Sequence, residues 1–437
     1  MPQSIAFTLP TSSLTARFDG PQLTSDGGLC WLSEADTALG LCAALAAQIP
    51  EWRHRSVRHS LEALVRQRVF QIACGYEDQN DADTLRSDPL LKLVCGRFPE
   101  DADLASQPTL SRLENAVDFK ACYRLALALV QLYLRERERD GLPERIVLDL
   151  DGTDDPAHGK QEGVAYHGYY GGYMYHPLLV FDGDTGQLIT AILRPGTCHA
   201  SRGALAVVKR LVRLLRRRWP EVAIEVRGDS GFAVPALYDY LEAQRISYTI
   251  ALASNQRLEA LAAPLAAEAT QQRANTGEKV RLFAEGQYQA GSWERERRVV
   301  YKAEALEKGL NLRFVVTTRD DPPEELYTWY TRRGEHPELC IKDLKDGCFA
   351  DRLSCHRFWA NQFRLLLHAA AYWLLDTIRR WLARLQAPHL QLATLRLRLI
   401  KIGGWVRRRL EIITLHLASS HPAEPLWHLL ATRPGRP

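Results

Sequence analysis

Two apolar runs in this chain each end on an aspartate followed by a small-residue turn, and that pattern narrows the fold sharply. The first run, Ile-Val-Leu-Asp-Leu-Asp-Gly-Thr (146–153), carries Asp149 and Asp151; the second, Glu-Val-Arg-Gly-Asp-Ser-Gly-Phe (225–232), carries Asp229. Short runs of this kind read as buried strands. An isolated Asp at a strand end is ordinarily a turn cap. Two of them in one sheet, beside Gly152 and Gly231, can hold carboxylates rigidly without crowding what lies between them. A third acid, Glu338, follows Tyr330 and Arg333, precedes Lys342 and Lys345, and sits at an expected helix start. Converging carboxylates hold hard divalent cations, and a pair of ions can activate an attacking oxygen and stabilise a leaving one in phosphodiester chemistry.

The order of elements supports such a convergence. Residues 1–25 read as polar and extended, and 27–140 as helical, with apolar residues at helical spacing near 29–48, 57–74 and 117–136. Within that block Ser106 to Glu114 reads as a short capped helix exposing Arg112, either an ordinary helix start or a recognition helix for DNA. From 144 the pattern becomes β-β-β-α-β-α-β: strands at 146–151, 176–181, 188–193, 222–226 and 247–252, with helices at 204–219 and 235–244. Residues 255–325 interrupt it with a polar helix and strand-like runs. Helix resumes over 326–386, and the alternation Leu395-Arg-Leu-Arg-Leu-Ile-Lys-Ile402, Gly403-Gly404, Trp405–Leu417 reads as a basic β-hairpin. The expected divisions are therefore 1–140, 144–254, 255–325, 326–386 and 387–437.

Charge is distributed unevenly. The net charge is only +4, yet residues 371–437 carry eleven Lys or Arg against three acids. A local excess of this kind is either a footprint for a polyanion or a solvated face. Arg407, Arg408 and Arg409 at its centre are candidate phosphate contacts. Nine cysteines without a Cys-x-x-Cys pair argue for reduced thiols. The N-terminus lacks a signal-peptide pattern, and the most apolar stretch, near 364–375, is too short to span a bilayer, so a cytoplasmic protein is expected.

Taken together, Leu-Asp-Leu-Asp-Gly-Thr-Asp-Asp-Pro (148–156), His-Gly-Tyr-Tyr-Gly-Gly-Tyr (167–173), Arg-Gly-Asp-Ser-Gly-Phe (227–232), Arg-Gly-x-x-x-Glu-x-x-Ile-Lys (333–342), Phe-Ala-Asp-Arg (349–352) and Gly-Tyr-Glu-Asp-Gln-Asn-Asp (75–81) resemble the DDE transposases of bacterial insertion sequences, most of all the IS-thirteen-eighty family. The resemblance covers most of the chain. It implies a mixed α+β fold with an RNase H-like, retroviral-integrase-like core, a helical DNA-binding region before it and a β-rich insertion domain within it. It implies that Asp151, Asp229 and Glu338 hold two Mg²⁺ ions, with Mn²⁺ as a substitute. Water would cut at the terminal inverted repeats of an element, and the freed 3′ hydroxyl would attack double-stranded target DNA, with two copies of the chain acting on paired ends near the nucleoid.

A signature of related transposases places Tyr, Arg, Glu and Lys at intervals of two, three and six residues. Tyr330 and Arg333 fit the first interval, and Glu338 and Lys345 the last; Glu338 stands one residue late, which leaves Glu335 as a competitor. On a continuous helix Glu338, Lys342 and Lys345 would share a face, as a metal-and-phosphate surface or as a solvated charged helix. Asp149 shares the strand face of Asp151, and Asp154 and Asp155 are further helpers. Trp293, among Glu294, Arg295, Arg297 and Arg298, is a core tryptophan or a stacking platform for an extruded base.

Two other functions fit parts of the pattern. Asp149-Leu-Asp-Gly-Thr153 spells the nucleophile motif of haloacid-dehalogenase phosphatases, with Asp149 attacking. Against it, the motif comes after 145 residues, and Ala233 stands where the later motif needs an acid. A transposase-derived DNA-binding protein without activity is the other rival, although all three acids are present.

Overall fold

The computed structural model describes residues 4–53, 57–139, 141–335 and 337–435. The chain divides into two units. One comprises Met1–Ala121, Asp346–Phe349 and Ala370–Pro437; the other comprises Cys122–Lys345 and Ala350–Ala369.

The second unit is organised by an eight-stranded mixed sheet. Its strands, numbered here in chain order, are β1 (Arg145–Gly152), β2 (Leu178–Asp182), β3 (Leu188–Ile192), β4 (Ala223–Gly228), β5 (Ser247–Leu252), β6 (Val280–Tyr288), β7 (Arg297–Leu306) and β8 (Gly309–Thr317). They lie in the order β6-β7-β8-β5-β4-β1-β2-β3. The β1–β4 and β4–β5 pairs are parallel, and the others are antiparallel. Ile146, Val147, Leu148 and Leu150 of β1 are all buried, as a strand covered on both faces requires. Helix Ala204–Arg218 connects β3 to β4; it buries Ala204, Val208, Leu211, Val212 and Leu215 at helical spacing and turns its arginines outward.

The strands expected within 255–325 are present, and they continue this sheet. β8 pairs antiparallel with β5, Thr249 opposite Thr317, with the two hydroxyls 3.0 Å apart. Without β8 the β5 edge would expose a row of unpaired backbone groups. Helix Gln256–Thr276 packs over these strands through small contacts, Ala269 against Ala303 and Ala305.

One ion pair fixes the register at the centre. Asp149 and Arg227 are opposite one another on β1 and β4. The guanidinium donates Nε to Asp149 Oδ1 at 2.7 Å and Nη2 to Oδ2 at 2.6 Å, with both side chains almost wholly buried. The β2–β3 turn closes over this pair at Gly183, whose amide donates to the Val147 carbonyl at 2.8 Å. A Cβ at Gly183 would run into the Asp149 carboxylate and the Arg227 guanidinium, so glycine is required there.

In the first unit, helices Leu29–Leu39, Leu41–Ala46, Leu61–Cys74 and Gln107–Ala116 occupy stretches read as helical. Arg68 and Glu114 form a fully buried pair, and Arg68 also holds the Tyr76 and Glu77 carbonyls, which anchors the 75–81 loop. The C-terminal segment differs from its expected form. Leu392–Leu395 is helical and Arg396–Ile400 forms a π-helical turn; the hairpin is Gly404–Arg409 with Ile412–Leu417. The period-two alternation misled because Leu392, Leu395, Leu399 and Ile400 are buried at helical spacing while Leu397 is exposed. Arg396 turns inward to donate to the Ala73 carbonyl at 3.0 Å. The hairpin turns at Leu410, which adopts a left-handed φ of 55°, and not at Gly403-Gly404.

Removing one partner of the Asp149–Arg227 pair strands a buried charge. Arg227→Met is expected to cost about 3–5 kcal/mol of stability, and the double variant Asp149→Leu/Arg227→Met to recover more than half of it. Urea unfolding midpoints of the three proteins check this.

Candidate active site

Leu150 is paired with Gly228 across β1 and β4, so the next residues, Asp151, still paired with Leu179 of β2, and Asp229, just past the end of β4, come side by side. Neighbouring strands lie roughly 4.8 Å apart. Asp229 begins a tight turn over Ser230–Phe232, and its Oδ1 accepts the Gly231 amide at 2.8 Å.

Helix Pro323–Glu335 is tied to both strand ends by one face. The Trp329 carbonyl accepts from Arg227 Nη1 at 3.0 Å, and its ring faces the same guanidinium at 4.8 Å. The Tyr330 hydroxyl donates to the Gly228 carbonyl at 3.3 Å. Arg333, about one turn along, donates Nη2 to the Leu150 carbonyl at 2.9 Å and to Asp151 Oδ2 at 2.6 Å. Tyr330 and Arg333 thus both reach the strand ends that carry the two aspartates.

Glu338 lies in the first turn of helix Pro337–Lys342 and is exposed. Its carboxylate packs over Gly334, where an added Cβ would stand 3.7 Å from Oε1. The side chain of the competitor Glu335 lies outside the described residues. Burial pushes the Asp151 carboxyl up from 3.8 to about 7; Arg333 works against this, and the charges of Asp229, Asp149 and Glu338 reinforce it. Burial disfavours the charge of Arg333, yet Asp151, Tyr330, Asp149 and Asp229 raise its pKa above the ordinary value. Asp151 therefore feels the charges of Asp229 and Glu338. Among the described residues, no group of three or more His, Cys, Asp or Glu side chains is gathered closely enough to enclose an ion.

The remaining candidates fare differently. The helix bearing Glu338 ends at Lys342, and Lys345 sits in a π-helical turn over Asp343–Gly347, so the expected common face is broken. Lys345 reaches Asp154, donating to Oδ1 at 2.9 Å, while Lys342 is exposed. Burial favours neutral Asp154, but the Lys345 ammonium outweighs it and lowers the carboxyl pKa. Trp293 is a core residue: its ring meets Tyr238 and Tyr288 edge-on, each at 5.4 Å, and the Arg297 guanidinium at 5.1 Å, so a base cannot stack on it. Asp149 is enclosed by Arg227 and cannot serve as a nucleophile, which removes the phosphatase reading. In the other unit, Arg112 is exposed on helix Gln107–Ala116. Arg408 pairs with Glu100 at 3.2 Å and covers Phe98, Arg407 lies over Trp405, and Arg409 is exposed. Part of the basic excess of the tail is met by acids elsewhere in its unit, Lys401 by Asp26 and Arg433 by Glu34 besides Arg408 by Glu100, while Arg379 and Arg380 share Asp376 within the tail.

Sequence reading missed two residues beside the aspartates. His176 is buried with Nδ1 3.0 Å from the Cys198 carbonyl, and its Nε2 would lie 2.8 Å from a Cβ at Gly152. Arg194 would approach that Cβ to 3.3 Å and donates to the His176 and Pro177 carbonyls. The density of aromatic residues over 166–176 was the available signal.

Because the Asp151 pKa is raised on folding, its contribution to stability is present below about 4 and lost as pH rises through about 7. In chelator-treated protein, stability should fall across that interval, and the fall should be smaller in Asp151→Asn. Denaturation midpoints measured against pH for both proteins check the sign.

The family model for transposase DDE domain group 1 matches residues 8–434. A search among curated protein sequences returns no match. Among solved structures, a piggyBac transposase synaptic complex with hairpin DNA aligns at 11% identity and a TM-score of 0.45, covering 86% of this chain and 79% of that one. A Mos1 transposase paired-end complex with the left transposon end aligns at 14% identity and a TM-score of 0.18, covering 46% of this chain and 61% of that one. The family match spans nearly the whole chain: this protein belongs to the transposase DDE domain group 1 family and is a DNA transposase.

Proposed function

We propose that Asp151, Asp229 and Glu338 are the acids of this transposase that hold divalent metal, and that β3-β2-β1-β4-β5 with its helices is an RNase H-like core of the IS-thirteen-eighty type. The observation that carries the assignment is the pairing of Leu150 with Gly228, which sets Asp151 and Asp229 side by side, together with the Arg333–Asp151 and Tyr330–Gly228 contacts that bring the helix preceding Glu338 to the same strand ends. Carboxylates that repel one another at the end of a rigid sheet are stabilised when a cation comes between them. An all-oxygen set of this kind suits Mg²⁺, or Mn²⁺ in its place. Bound there, the metal would supply Lewis-acid stabilisation to the phosphodiester oxygens.

The chain's own residues have separate tasks in this reading. Arg333 neutralises Asp151 and holds it against the Leu150 carbonyl, and metal binding requires Asp151 Oδ2 to be shared with or released by Arg333. Tyr330 sets the helix at the height of Gly228, next to Asp229. Lys345 neutralises Asp154, and exposed Lys342 is available to a DNA phosphate. In the other unit, Arg407 and Arg409 offer sequence-independent phosphate contacts, with Arg112 as a further one. The reaction is cleavage at an element's terminal inverted repeats and joining of the 3′ hydroxyl to target DNA, with two copies of the chain on paired ends.

Asp151→Ala, Asp229→Ala and Glu338→Ala should each reduce Mg²⁺-dependent nicking of supercoiled DNA carrying the element's ends by at least about a hundredfold, with end binding retained. Normal nicking by Glu338→Ala together with loss in Glu335→Ala would move the third acid to Glu335. Arg407→Gln/Arg409→Gln should lower the slope of log affinity against log salt by about 2, whereas Arg408→Gln, already paired with Glu100, should leave it unchanged. An unchanged slope in the double variant would contradict a DNA-facing hairpin.

A further inference from the structure

The motif His-Gly-Tyr-Tyr-Gly-Gly-Tyr has no task in the chemistry assigned so far, yet it builds an unusual surface beside the acids. Ala165–His167 and Gly172–Tyr175 form a short antiparallel hairpin, closed by the Gly171 amide donating to the His167 carbonyl at 2.9 Å, with Gly171 at a φ of 71°. Tyr166 and Tyr173 are cross-strand partners, and their rings meet edge-on at 5.7 Å. Met174 faces inward and is buried. Tyr169 stands at the tip. Tyr166, Tyr169 and Tyr173 are 58%, 87% and 67% exposed, an extravagant use of aromatic area for a protein surface.

The tip of this hairpin, Tyr169, is joined to the acids through packed rings. Tyr169 meets Tyr170 edge-on at 4.9 Å, Tyr170 meets His167 at 5.1 Å, and His167 meets His176 at 4.9 Å. His176 in turn abuts Gly152, the residue after Asp151. The Tyr170 hydroxyl is pushed up to about 12 by burial and by the charges of Asp154, Asp151 and Asp229, which places it within their field. Tyr170 thus ties Tyr169 to the acids, and Tyr166 and Tyr173 are exposed on the strands of the same hairpin.

Flat, uncharged rings next to a phosphodiester site suit the faces of nucleobases. A base offers its face only where it has left the duplex stack. We infer that Tyr166, Tyr169 and Tyr173 form a stacking platform for unpaired nucleotides of the DNA strand adjoining the phosphodiester held at Asp151, Asp229 and Glu338. The inference rests on that assignment of the acids. DNA unpaired at the cut would be held by its bases on this platform, and duplex DNA would gain little from it.

The test uses the full chain with an oligonucleotide duplex ending in a 3′ single-stranded extension of about five nucleotides, its first unpaired base 2-aminopurine, and a blunt duplex of the same paired sequence. Stacking of one base is worth enough that Tyr169→Ala/Tyr173→Ala should weaken binding of the extended DNA by about fivefold or more. Blunt-duplex affinity should change less than about twofold, and the protein-induced change in 2-aminopurine fluorescence should be lost. Tyr169→Phe/Tyr173→Phe should keep both affinity and fluorescence change. Equal losses on both DNAs, no loss on the extended DNA, or loss of self-association with DNA binding intact would each overturn the proposal. Asp229→Asn separates the two readings: it should keep the fluorescence change while losing nicking. Nicking by Asp229→Asn would refute the acid assignment, and normal affinity and fluorescence in the tyrosine-to-alanine protein would refute the platform.

Discussion

The site depends on the buried pair between Asp149 and Arg227. It joins two parallel neighbours, β1 and β4, residue opposite residue. A parallel pair shifted by one residue turns every side chain of one strand to the other face. Such a slip here would leave a buried carboxylate facing away from its guanidinium, at a cost of several kcal/mol. The register is therefore strongly specified. Because side chains alternate along a strand, the residues two positions on from the pair, Asp151 and Asp229, share its face and are brought together at the strand ends. The motif Leu-Asp-Leu-Asp thus combines one aspartate that fixes geometry, Asp149, with one at the strand end, Asp151, that is proposed to bind metal.

The same guanidinium carries the constraint to the third acid. Arg227 holds the Trp329 carbonyl and lies against its ring, so helix Pro323–Glu335 is fixed to β4. Arg333 then links that helix to Asp151, and the next helix presents Glu338. In this arrangement Arg333 neutralises a carboxylate that three neighbouring acids disfavour as an anion.

Much of this was legible from local pattern. The five strands β1–β5 and their two helices follow from apolar runs, Pro220 and turn residues, because buried strands and amphipathic helices leave strong periodic signals. Asp151 and Asp229 were legible as strand ends. Other features depend on contacts between residues far apart in the chain. The Asp149–Arg227 pair needs the β1–β4 register, and the attachment of β8 to β5 needs a pairing about 70 residues apart. The segment 395–402 alternates Leu with Arg, yet its burial follows helical spacing because Arg396 finds the Ala73 carbonyl. The charge of the tail suggested a DNA surface, but acids elsewhere in the same unit take up part of it. Trp293 sits among charges in the sequence and among aromatic rings in the fold.

The proposed divalent-ion site joins the ends of β1 and β4 to the start of helix Pro337–Lys342. It is tested most directly by replacing Mg²⁺ with Fe²⁺ and mapping the backbone cuts made by locally generated hydroxyl radicals. Cuts clustered at residues 150–152, 228–230 and 337–339, suppressed by excess Mg²⁺ and lost in Asp229→Ala, are the expected result. Cuts elsewhere, or at only one of the three segments, would contradict it.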